Sequence, residues 1–77
     1  MEQYAGLDVS LKAVSICVTD GSGVSVWRGD IVNDVTAVRT ALSRHAPQLR
    51  RVVLESGSCG IHLYRGLQAA DVPVVCV

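Results

Sequence analysis

From Tyr4 to Asp30 the side chains alternate in period two, interrupted by a short turn at Ser10-Leu11 and by a strong turn signal at Asp20-Gly21-Ser22-Gly23. Two alternating runs flanking an Asp/Gly turn specify a β-hairpin. That hairpin restricts the amino-terminal half to antiparallel strands. Tyr4 to Val9 reads as a first strand, with Ala5, Leu7 and Val9 on one face and Tyr4, Gly6 and Asp8 on the other. A short turn at Ser10-Leu11 follows. Ala13 to Thr19 is a second strand, with Val14, Ile16 and Val18 alternating against Ala13, Ser15, Cys17 and Thr19. Val24 to Asp30 is a third, expected to place Val24, Val26 and Arg28 on one face and Ser25 and Trp27 on the other.

The period then becomes helical. Asn33 or Asp34 supplies a cap, Val35, Val38, Leu42 and Ala46 follow at helical spacing, and Pro47 stops the helix. Arg51 to Glu55 is a short strand whose continuous Val52-Val53-Leu54 run predicts burial on both faces. Ser56 to Gly60 is a small-residue loop. Ile61 to Ala70 is a second helix, ended by Asp71-Val72-Pro73, and Val74 to Val77 begins another buried strand. The order β-β-β-α-β-α-β predicts an α/β fold. Its mixed sheet carries helices on its faces, and its first and fourth strands lie side by side and parallel. No repeat or linker divides the 77 residues, so they form one portion of a single domain. The chain stops within an apolar strand, so we expect it to be part of something longer.

Composition narrows the function. Hydrophobic residues make up 49% of the chain, which excludes a disordered tail and requires either a sheet covered on both sides or a partner on one face. Seven basic and seven acidic residues give zero net charge. A nucleic-acid binder that relies on its own charge would be basic, so this piece alone should bind nucleic acid poorly. Arg50 and Arg51, the adjacent basic pair, read as a solvated loop before a strand. Cys17, Cys59 and Cys76 are odd in number and without CxxC spacing, so neither a disulfide framework nor a zinc site is expected. Free cysteines suit a reducing cytoplasm. Met1-Glu2-Gln3 is acidic where a secretory leader is basic, and no apolar run is long enough to span a bilayer.

Two acids stand out. Asp8 lies within a central strand on the face that also carries Gly6, where burial would be costly without a partner or a metal. Glu55 closes the fourth strand. In open α/β sheets, sites form at the carboxyl ends of parallel strands, so neighbouring first and fourth strands would bring Asp8 and Glu55 together. Paired carboxylates repel unless a cation neutralises them, and oxygen ligands suit Mg²⁺ or Mn²⁺. The bland alternative is that Asp8 caps a turn through Ser10 and Glu55 is simply exposed. For other residues the bland reading is the expected one. His45 is a charge at a helix end and His62 is surface. Cys59 is a small inert residue, while Cys17 and Cys76 are core. Trp27, on an edge strand, is expected to pack against a partner or the missing half of the domain, and Lys12 is a solvated turn residue.

The segments Tyr4-Ala5-Gly6-Leu7-Asp8-Val9-Ser10-Leu11-Lys12, Val53-Leu54-Glu55-Ser56-Gly57, Leu63-Tyr64-Arg65-Gly66-Leu67 and Val72 to Val77 resemble, in order, the amino-terminal domain of insertion sequence 110 family transposases. The resemblance implies a ribonuclease-H-like, RuvC-like DEDD nuclease domain, incomplete at its carboxyl end. It implies that Asp8 is the first acid and Glu55 the second, that both are catalytic metal ligands, and that the ion is Mg²⁺ or Mn²⁺. For the full-length protein it implies DNA and a guide RNA as partners, a homo-oligomer, and DNA transposition by metal-dependent strand cleavage. The family's remaining two acids and its second domain, with a serine nucleophile, have no counterpart here; Asp71, before a proline, matches neither acid. The 77-residue piece is therefore expected to be catalytically inert alone.

Two other classes compete. A sugar-kinase or actin-like fold opens with similar strands, but its phosphate loop requires glycine where this chain has Val9-Ser10-Leu11-Lys12. A nonenzymatic oligomerisation module would pair through the apolar edge at Val74 to Val77.

Overall fold

A computed structural model describes residues 2–54 and 60–76. Its element order is β1 (Gln3–Val9), β2 (Ala13–Asp20), β3 (Ser25–Val32), α1 (Val35–His45), β4 (Leu49–Leu54), α2 (Gly60–Ala69) and β5 (Val74–Cys76). The chain is thus a mixed α/β fold, and its five strands form one sheet in the order β3-β2-β1-β4-β5. β1 pairs antiparallel with β2 and β2 with β3, whereas β1 with β4 and β4 with β5 are parallel. The neighbouring, parallel first and fourth strands follow the sequence reading.

Local chemistry accounts for each junction. In the hairpin, the Asp20 carboxylate accepts the backbone N–H groups of Ser22 and Val24, and Gly23 takes the left-handed φ of 85° that closes the turn. Asp34 is the α1 cap, its carboxylate accepting the Ala37 N–H at 2.9 Å. α2 ends with Asp71 at φ 62°, while the N–H groups of Asp71 and Val72 donate back to the carbonyls of Gln68 and Leu67. This is a left-handed cap with Asp in the position glycine usually takes. Asp20, Asp34 and Asp71 are therefore explained by chain geometry.

The core lies on one side of the sheet. Ala5, Leu7, Val14, Ile16, Val18, Val52 and Leu54 point into it and meet Val38, Ala41, Leu42 and Ala46 around α1 and Leu63 and Leu67 of α2. Val35 of α1 presses directly over Gly66 of α2, where any Cβ would collide with it. At the outer strand the Trp27 indole stacks on His45, with ring centroids 3.8 Å apart, and covers Gly29.

Among the described residues nothing covers the opposite face and both helices pack on one side, which corrects the expectation of helices on both faces. Val53 is 39% exposed and Val75 42%. The apolar runs in β4 and β5 are therefore buried on one side only. Cys76 is exposed and Cys17 half-buried on the open face, so neither is core. Arg50 and Arg51 belong to β4 itself and do not form a loop. A β-bulge between Val18 and Thr19 puts both Val26 and Trp27 across from Val18. Ser25 consequently shares the open face with Arg28, its hydroxyl 4.0 Å from Cys17 Sγ, and does not share the face of Trp27.

Candidate functional site

Asp8 sits near the carboxyl end of β1, the middle strand of the sheet, and its side chain is exposed on the bare face. The burial cost that singled it out in the sequence therefore does not arise here. Its position is what sets it apart. The turn beyond it is held independently: the Ser10 hydroxyl donates to the Ala13 carbonyl at 2.9 Å and accepts the Ala13 N–H, and the Asn33 side-chain amide donates to the Ser10 carbonyl. Asp8 thus does not cap this turn through Ser10. Among the described residues no side chain is hydrogen-bonded to Asp8, whereas Glu2 is engaged by Tyr4 and Arg50.

Strand register builds the surroundings of Asp8. Asp8 lies directly across from Ser15, and Ser15 directly across from Asp30, so the three side chains form a row over β1, β2 and β3. The next row joins Gly6, Cys17 and Arg28, and Val53 lies beside Gly6 on β4. The rows line a shallow depression of about 390 Å³ whose floor at Gly6 is open backbone. The Ser15 hydroxyl donates to Asp30 at 2.6 Å. Its single proton is committed there, so the Ser15 oxygen presents only lone pairs toward Asp8. The carboxylate and hydroxyl oxygens of the Asp8–Ser15–Asp30 row are the ligand type a hard divalent cation takes, while the Arg28 guanidinium and the Cys17 thiol line the neighbouring row. Two carboxylates hold such an ion weakly, and among the described residues no group of three metal-ligating side chains occurs.

Glu55 lies outside the described residues, as do Cys59 and the loop around it. The β1–β4 register ends at Leu7 opposite Leu54, one residue before Asp8 and one before Glu55. Asp30 is the acid that sequence reasoning missed. Lys12 and His62 are exposed, as expected, and His45 stacks on Trp27 at the end of α1. Among the described residues no helix is long and apolar enough to cross a membrane.

No protein-family model and no curated protein matches the chain.

Proposed function

We propose that this chain is the amino-terminal part of a ribonuclease-H-like, RuvC-like nuclease domain of a DNA transposase, holding half of a metal site and inert without the remainder. The observation that carries the reading is the placement of Asp8. It is an unengaged, solvent-facing carboxylate at the carboxyl end of a central strand whose neighbour, β4, is parallel and leads directly into Glu55. Sites of open α/β sheets form at that end of the strands. The strand order and the antiparallel β1–β2–β3 meander are compatible with such a domain and support the reading at the level of architecture. Asp8 and Glu55 would hold Mg²⁺ or Mn²⁺, which when bound would neutralise the carboxylates and supply an activated water for phosphodiester cleavage. The chain's own residues contribute position. Ser15, oriented by Asp30, turns an oxygen toward Asp8, and the bare face leaves room for a phosphodiester. DNA and a guide RNA would be partners of the full-length protein; the neutral chain has little charge of its own with which to bind them.

A Mn²⁺ titration followed by paramagnetic broadening of amide resonances tests this. Broadening centred on Asp8 that disappears in Asp8→Asn is expected; broadening that Asp8→Asn leaves in place overturns the metal assignment. Incubation of the chain with DNA and Mn²⁺ should give no cleavage. Cleavage that Asp8→Asn removes would overturn the statement that the piece is inert.

A further inference from the structure

We propose that two copies of this chain join along the outer edge of β3, antiparallel and centred on Gly29, to make one continuous sheet. β3 is an outer strand, eight residues long, with neither proline nor lysine to block pairing. Val26 and Val32 along it are 51% and 62% exposed, and Val24 just before it 60%. The other edge, β5, offers three residues and follows Pro73.

The ladder with β2 determines which backbone groups are free for pairing. The Asn33 N–H donates to the Lys12 carbonyl at 3.1 Å. Antiparallel bonding alternates, so Ile31, Gly29 and Trp27 direct their backbone groups to β2, and Asp30 and Arg28 direct theirs outward. The Val32 carbonyl is taken by the Asp34 N–H at 2.7 Å. Arg28 and Asp30 are thus the residues able to exchange bonds with a new strand.

A twofold axis through Gly29 sets Arg28 opposite the partner's Asp30, and Asp30 opposite the partner's Arg28. Each pair exchanges two backbone bonds and matches opposite charges. The same register sets Trp27 opposite the partner's Ile31 on the helix side, an apolar match. Gly29 meets the partner's Gly29 at the narrow, non-bonded position, where strands approach most closely. A slip of two residues either way stacks Arg28 on the partner's Arg28 or Asp30 on the partner's Asp30. A slip of one opposes outward groups with groups already bonded to β2. One register therefore satisfies bonding, charge and apolar matching together, and the occupant that fits this edge is a second copy of the same strand. The depression holding Asp8, Ser15 and Asp30 would then continue across the seam to the partner's Arg28. This pairing does not depend on the nuclease reading.

Light scattering on the chain over a concentration series should show a monomer–dimer equilibrium. Arg28→Asp or Asp30→Arg alone turns both symmetry-related pairs repulsive and should weaken the dimer at least about tenfold. The double exchange Arg28→Asp/Asp30→Arg should restore it. In the unaltered chain, the Arg28 and Asp30 amides should gain hydrogen-exchange protection as concentration rises. A chain monomeric at every concentration, a dimer indifferent to both single reversals, or amide exchange independent of concentration would overturn the proposal.

Discussion

Val53 and Leu54 are consecutive residues of one strand, and they belong to two different surfaces. Leu54 is fully enclosed by the helices; Val53 faces solvent across from Gly6. The contrast runs through the whole sheet. One face carries nearly the entire apolar core and closes against α1 and α2. The other carries Asp8, Ser15, Arg28 and Asp30, and among the described residues nothing closes over it. Among the described residues no polar or charged side chain is buried. The lesson is a division of labour: stability comes from the helix side, and carboxylates can occupy the other side without paying the desolvation that a two-sided sheet would impose.

Substitutions on the two faces should separate accordingly. Leu54→Ala removes a fully buried side chain and should cost about 2–5 kcal/mol, a large part of the stability of so small a domain. Val53→Ala, one residue away, should cost less than about 1 kcal/mol. Urea midpoints of the two variants measure the contrast directly, and equal losses would break it. Gly66→Ala places a methyl group against Val35 on the helix side and should cost about 1–3 kcal/mol, partly recovered in the Val35→Ala background. Asp8→Asn, on the open face, should shift stability by no more than about 0.5 kcal/mol while removing the Mn²⁺ response. A large thermal destabilisation by Asp8→Asn would show that this carboxylate serves the fold. The smallest effect concerns Tyr4. Its phenol donates to Glu2 at 2.9 Å, and that bond, with the nearby carboxylate charge, holds its pKa above the ordinary 10.0. A raised phenol favours the folded state below that range and loses the contribution as pH rises through it. Glu2→Gln should therefore bring the alkaline absorbance midpoint of Tyr4 down.

Much of the architecture was legible. Period-two runs, the Asp20-Gly21-Ser22-Gly23 turn, the Asp34 cap and the Pro47 stop are local signals, and the structure follows them to within a residue or two at most element ends. Facing was harder to read. A run such as Val52-Val53-Leu54 has the same composition whether a sheet is covered once or twice, because only the number of helices and the side they pack on decides. Asp30 was invisible for a sharper reason. Counting back from the hairpin turn without a bulge sets Gly29, not Asp30, opposite Ser15, and sends Asp30 to the core side. The single extra residue at Val26 reverses that facing and brings Asp30 into line with Asp8. Nothing in Val24-Ser25-Val26 announces the bulge. The position of Asp8 was readable because it needs only the parity of its own strand.

The stack of Trp27 on His45 gives the molecule a built-in optical gauge. The chain has one tryptophan, and its indole lies where the last residue of α1 meets the outermost strand. Its emission will therefore register the seating of that helix end rather than the average compaction of the chain. A signal that changes before the circular dichroism of the strands does would mean that the helix layer lifts off first, from the β3 side, leaving an intact sheet beneath.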